Sequence, residues 1–83
     1  MKFLIILVLS VTLALATINI NTATIKDFTF LKGIGVKKAE MIVEYRDKIK
    51  CFKSIDELTK VKGIGDATIS KNKDNLKLGK CSK

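Results

Sequence analysis

The sequence predicts an all-α fold, a two-fold pseudosymmetric domain of four to five short helices behind an N-terminal segment of another kind. Three observations carry this. Shifted by 30 residues against itself, the chain aligns Thr24 to Gly35 with Ser54 to Gly65, with six positions identical and most others keeping their class. Beyond residue 16 the apolar residues recur at helical spacing, and no alternating strand pattern survives. Each repeat also carries Lys-Gly-Ile-Gly, at Lys32 to Gly35 and Lys62 to Gly65, with a helical pattern resuming at once after it.

Residues 1–16, MKFLIILVLSVTLALA, hold Lys2 as their one charge, an apolar run from Phe3 to Leu13, and the small residues Ala14 and Ala16 two apart. This pattern predicts a secretory signal peptide cleaved after Ala16. A retained anchor is the alternative. It would need about 20 apolar residues to span a bilayer, and Asn19 and Asn21 follow almost at once. Cleavage divides the chain into a signal peptide, 1–16, and a domain, 17–83, placed in the periplasm or otherwise exported. Lys2 leaves with the peptide, so the remaining 67 residues carry 15 basic and 8 acidic side chains, a net charge of +7.

The first unit occupies about residues 21–50. Asn21 and Thr22 are expected to cap a short helix whose face is Ile25, Phe28 and Leu31. Gly33 stops it, and Gly-Ile-Gly permits positive φ at two points around a buried Ile34. Val36, Ala39, Ile42, Val43 and Ile49 then predict the longest helix, with most of its charges elsewhere on the cylinder.

The second unit, about residues 51–80, repeats the plan. Ser54 is the expected cap, Asp56 and Glu57 oppose the helix dipole, and Ile55, Leu58 and Val61 form the apolar face. After Gly63-Ile64-Gly65, Asp66 opens a helix carrying Ala67 and Ile69 and followed by Leu76 and Leu78. Asn72 stands where the first unit has Ile42, so this last helix is expected to pack less firmly. Phe28, Phe30, Tyr45 and Phe52 are expected in the core, which leaves no aromatic platform for single strands.

Cys51 and Cys81 lie 30 residues apart, and each follows a lysine. In an exported protein two cysteines are most simply a disulfide, and residues related by a pseudo-two-fold can meet near its axis. Free thiols, a bond to a partner and dimerisation are the alternatives. Without a C-x-x-C motif, a redox role has little support.

The full chain of 83 residues has no His and two Cys. It therefore lacks the usual proton shuttle and the commonest metal ligand, and two cysteines cannot supply four zinc ligands. The expectation is no enzyme, no cofactor, no metal and no small-molecule substrate. Asp27, Glu40, Glu44 and Asp47 are read as solvated helix charges rather than as the metal ligands of a nuclease. A net charge of +8 and a pI near 9.7 point instead to a polyanion or an anionic surface.

The two glycine turns supply a way to hold one. A helix N-terminus behind such a turn presents unpaired N–H groups and the positive end of a dipole. Lys37 and Lys38 stand in that first turn, where cations oppose the dipole. A bound phosphate would relieve the repulsion.

The strings Phe30-Leu31-Lys32-Gly33-Ile34-Gly35-Val36-Lys37-Lys38-Ala39 and Val61-Lys62-Gly63-Ile64-Gly65 resemble the helix-hairpin-helix motif, L-x-G-I-G-x-x-x-A. With Ile20-Asn21-Thr22-Ala23 and Phe52-Lys53-Ser54-Ile55-Asp56-Glu57-Leu58, the chain resembles the ComEA-like competence proteins over about residues 18–78. The resemblance implies a tandem helix-hairpin-helix domain that binds incoming DNA in natural transformation. It implies that hairpin amides and adjacent basic side chains hold phosphates without reading bases, a role carried onto Gly33, Ile34, Gly35, Lys37 and Lys38, and onto Gly63, Ile64 and Gly65. Charge adds Lys32, Lys62 and Lys71. The expected partners are double-stranded DNA, single-stranded DNA through its backbone, and the uptake machinery of the envelope, with the protein a monomer.

The chain departs from the family pattern in three respects. Lys32 and Lys62 replace a common proline, Asn72 replaces an apolar residue, and Asp66-Ala67 follow the second hairpin where Val36-Lys37 follow the first. The first hairpin is therefore expected to contribute more of the grip. An envelope protein-interaction module is the alternative function, and weak binding to anionic lipids a third.

Overall fold

A computed structural model describes residues 17–81, so the predicted signal peptide lies outside the described residues. The elements run β1 (Ile18–Asn19), α1 (Ile25–Phe28), α2 (Val36–Ile49), a 3-10 helix (Ile55–Lys60), α3 (Asp66–Asn72), a single 3-10 turn (Lys73–Asn75) and β2 (Leu76–Lys77). The architecture is the all-α one predicted, with one addition. β1 and β2 pair in parallel, Ile18 opposite Leu76 and Asn19 opposite Lys77. No local alternation announces a strand of two residues, because its partner lies at the other end of the chain.

Helix α1 is capped by Thr24, not by Asn21 or Thr22. Thr24 Oγ1 accepts from the Asp27 N–H at 3.1 Å, and Asp27 Oδ2 accepts from the Thr24 N–H at 3.0 Å, a reciprocal capping box. Among the described residues helix α2 is the longest element, as predicted, and buries Ala39 and Ile42, but Val36 at its start is 60% exposed. The helix ends at Lys50, whose φ of 81° breaks it. In the second unit the segment after Ser54 is 3-10 rather than α. Ser54 makes no side-chain cap bond; Glu57 Oε1 instead accepts from the Lys53 N–H at 2.6 Å. Leu76 and Leu78 do not extend α3, which stops at Asn72. Leu76 joins β2, and Leu78 is 42% exposed.

The core is made where the two units face each other. Ile20, Phe28, Leu31, Ile34, Ala39 and Ile42 meet Phe52, Leu58, Val61, Ile64 and Ile69 in one buried cluster. The sequence of buried and exposed positions at 31–39 is repeated, residue for residue, at 61–69. Tyr45 stacks on Phe52, ring centroids 5.9 Å apart. Phe30 departs from expectation: it lies in the turn after α1 and is 73% exposed.

The chain ends are tied to the middle by asparagines. Asn21, buried, accepts from the Phe52 N–H at 2.7 Å and donates to the carbonyls of Phe52 at 3.2 Å and Gly79 at 2.9 Å. Asn19 Oδ1 accepts from the Asn21 and Gly79 N–H groups, both at 2.9 Å. Arg46 on α2 donates to the Ile20 and Ala23 carbonyls at 3.0 and 2.8 Å. Just beyond, Cys51 and Cys81 are joined in a disulfide, their Cα atoms 5.7 Å apart.

Candidate nucleic-acid interface

Each hairpin is one β-turn followed by a helix start. The Ile34 N–H donates to the Leu31 carbonyl at 3.3 Å, and the Ile64 N–H to the Val61 carbonyl at 3.0 Å. Lysine is second and glycine third in both turns, with φ of 79° at Gly33 and 92° at Gly63. That is a type II turn, whose third position favours glycine because φ is positive there. The expected positive φ at two points occurs at only one per hairpin. Gly35 (φ −96°) and Gly65 (φ −116°) are extended N-caps, because one left-handed residue completes the reversal and the chain must straighten before the helix.

A Cβ added to Gly35 would meet nothing within 4 Å. Packing does not require glycine there; its absent side chain leaves bare backbone open to whatever approaches the start of α2. The 14 residues of α2 align a substantial dipole behind that backbone, and no acidic residue stands in its first turn. Helix α3 has seven residues and begins with Asp66, so the second hairpin carries the weaker positive field.

Lys32, Gly33, Gly35 and Lys37 are exposed, as are Lys62, Gly63 and Gly65. The side chains of Ile34 and Ile64 are buried, 7% and 4% exposed, so each anchors its turn in the core while its N–H closes the turn. Lys38 is half-buried for a specific reason. Its Nζ is 3.5 Å from the Gly33 carbonyl it donates to, and its Cε would be 3.3 Å from a Cβ on Gly63. The Lys38 stem thus lies between the two hairpins and brings them to one face. Lys71 is exposed at the opposite end of α3 from Gly65 and extends the basic surface away from the turns.

Asn72 corrects the expectation of a loosely packed last helix. It is 1% exposed, and its Oδ1 accepts from the Lys32 N–H at 2.8 Å. Its Nδ2 donates to the carbonyls of Lys32 at 3.0 Å and Thr68 at 2.9 Å. Among the described residues no buried side-chain polar atom lacks a partner. Lys32 in place of proline was the available signal, since only a non-proline residue offers the N–H that Asn72 takes. Among the described residues, no three or more acidic or Cys side chains converge as metal ligands would, and Asp27, Glu40, Glu44 and Asp47 form no such group.

A paired, pseudosymmetric set of Gly-Ile-Gly turns, each leading into a helix, defines a helix-hairpin-helix protein. Residues 14–77 match the helix-hairpin-helix motif family, and the chain belongs to it. It is a ComEA-like member: it is 41% identical over 61 residues to ComE operon protein 1 of Bacillus subtilis, covering 74% of this chain and 30% of that one. An uncharacterized protein of Haemophilus influenzae is 50% identical over 60 residues, 71% of this chain and 54% of the relative. The human endonuclease/exonuclease/phosphatase family domain-containing protein 1 is 44% identical over 48 residues, 58% of this chain but 8% of that protein. The chain thus spans about half of the Haemophilus relative and under a third of the Bacillus one. No solved structure gives a significant match.

Proposed function

We propose that this is an exported, non-catalytic protein that holds the sugar-phosphate backbone of DNA, without reading sequence, at its two Gly-Ile-Gly hairpins during DNA uptake in natural transformation. The observation that carries the reading is the Lys38 stem lying against Gly63, with Nζ on the Gly33 carbonyl. Two amide-bearing turns side by side, with Lys32, Lys37 and Lys62 exposed around them, suit successive phosphates of one polyanion. The backbone N–H groups of Gly33, Gly35, Val36 and Lys37, and of Gly63 and Gly65, would donate to phosphate oxygens, while those of Ile34 and Ile64 close the turns. Lys32, Lys37, Lys38, Lys62 and Lys71 would supply the field.

Family membership and the likeness to ComE operon protein 1 support the competence role, with the uptake machinery as the onward partner. The human relative's name includes nuclease chemistry, but the match covers only 8% of that protein. This chain is proposed to bind DNA and not to cut it. The predicted signal peptide supports export.

Fluorescence anisotropy on random-sequence duplex across a salt series tests the reading. If about three to four phosphates are engaged, log K falls against log salt with a slope of about −3 to −4. Lys37→Glu together with Lys38→Glu makes that slope shallower and weakens binding at low salt. Absence of binding by the unmodified protein at low salt, or unchanged binding by the double variant, overturns it.

A further inference from the structure

Phe30 is 73% exposed, one residue before the turn that carries Lys32 and Gly33. Its place is fixed rather than frayed. The Phe30 N–H donates to the Asp27 carbonyl at 3.1 Å, the Leu31 N–H to the Phe28 carbonyl at 3.0 Å, and the Thr24–Asp27 capping box holds the helix beneath. Folding does not require the ring, because Phe28, two residues earlier, is wholly buried and fills the core. The repeat makes the position informative. The equivalent of Phe30 in the second unit is Lys60, and the equivalent of Val36, 60% exposed, is Asp66. The hairpins share Lys-Gly-Ile-Gly, yet the first alone is flanked by a large exposed aromatic side chain.

We propose that Phe30 stacks on an unpaired DNA base, so that the first hairpin favours a strand end, overhang or gap over closed duplex. The inference rests on the phosphate-holding reading above. Within a duplex both faces of each base are covered by neighbours, whereas an unpaired base exposes a π-face that an aromatic ring can cover whatever the base identity. A phosphate held by the Gly33–Gly35 backbone and Lys37 brings its own nucleotide to the hairpin whose first turn residue, Leu31, directly follows Phe30. The backbone that carries the ring is already held, so only the side-chain torsions are ordered when it meets a base. Lipid is the competing occupant for an apolar side chain among lysines. Interfacial insertion uses an amphipathic helix with a broad apolar face, however, and here α1 has four residues and α2 begins with two lysines after Val36.

The test uses the purified protein with its disulfide intact and two duplexes of equal nucleotide count, one blunt and one with a 3′ overhang bearing 2-aminopurine. The overhang is expected to bind about tenfold more tightly than the blunt end, with quenching of the 2-aminopurine. Phe30→Ala removes the preference and the quenching while leaving blunt-duplex affinity and salt slope unchanged. Phe30→Trp retains both. Thermal melts establish that the variants are folded, as an exposed site allows. Equal affinity of the unmodified protein for the two duplexes, or a loss on both alike in Phe30→Ala, overturns the proposal. So does a Phe30→Ala variant that keeps the overhang preference but loses binding to phosphatidylglycerol vesicles. No binding to either duplex at low salt is a different failure, that of the phosphate-holding reading itself.

Discussion

The Asn72 side chain bonds both backbone groups of Lys32, accepting from its N–H at 2.8 Å and donating to its carbonyl at 3.0 Å. These residues are two of the three departures from the family pattern, and they meet. A proline before Gly33 would stiffen the turn but offer no N–H, and an apolar residue at 72 could not accept one. Together they replace a rigid ring by a cross-unit clamp in which the last helix holds the first hairpin.

Lys32→Pro alone leaves the buried Asn72 Oδ1 without its donor and is expected to destabilise by about 1–3 kcal/mol. Asn72→Leu alone removes the clamp at a similar cost. Together they should recover part of the loss, with a coupling energy of about 1 kcal/mol or more. Urea unfolding of the four proteins measures it, and strictly additive losses would show that the two departures are independent.

Gly33 and Gly35 separate folding from binding. At Gly33, φ of 79° makes Gly33→Ala costly, by about 1–2 kcal/mol. At Gly35, with φ −96° and open space around a new Cβ, Gly35→Ala should cost under about 1 kcal/mol as an N-cap change. Its methyl group would nonetheless stand between the backbone and a phosphate. Thermal melts beside DNA titrations should find Gly35→Ala nearly as stable as the parent but weaker in binding; unaltered binding would place the phosphate elsewhere.

Asn21 makes three hydrogen bonds from a buried site, two to Phe52 and one to Gly79. Asn21→Ala strands the Phe52 N–H and carbonyl in the core and should destabilise by about 2–4 kcal/mol, a large part of what a small domain has. Denaturant midpoints measure it. A change below half a kcal/mol would mean that water replaces the amide at no loss.

The Cys51–Cys81 link closes a loop of 30 residues on the side where Asn21 and Gly79 also meet. Its reduction, or replacement of both cysteines by serine, should lower stability by about 3.5 kcal/mol in the chain-entropy model. At temperatures where the reduced protein stays folded, DNA affinity should be unchanged, since the link ties down the chain end and not the hairpins. Calorimetry and anisotropy with and without reductant test the two halves of this statement.

Much of the fold was legible because it is local. The tight glycine hairpins, though with one positive φ each rather than two, the buried Ile34 and Ile64, and the long helix α2 follow from residues within a few positions of one another. The 30-residue repeat then relates the two halves. The cap of α1 was misread because Asn21 and Thr24 are equally good caps in isolation, and only burial of Asn21 against Phe52 removes it from that competition. Phe30 was misread as core because α1 ends after Phe28, which turns the next aromatic outward.

By itself the sequence determined the helical class, the two Lys-Gly-Ile-Gly turns, the surplus of positive charge and the family likeness, because each is a property of composition or short spacing. Only the tertiary structure decided that Asn72 strengthens the last helix, that Lys38 bridges the hairpins, and that the chain ends pair as β1 and β2. Those outcomes depend on contacts between residues 25 to 58 positions apart, Lys38 with Gly63, Lys32 with Asn72 and Ile18 with Leu76, which exist once the chain has folded back on itself. A buried asparagine is a weak point or a clamp according to what lies opposite it, and linear order does not contain that information.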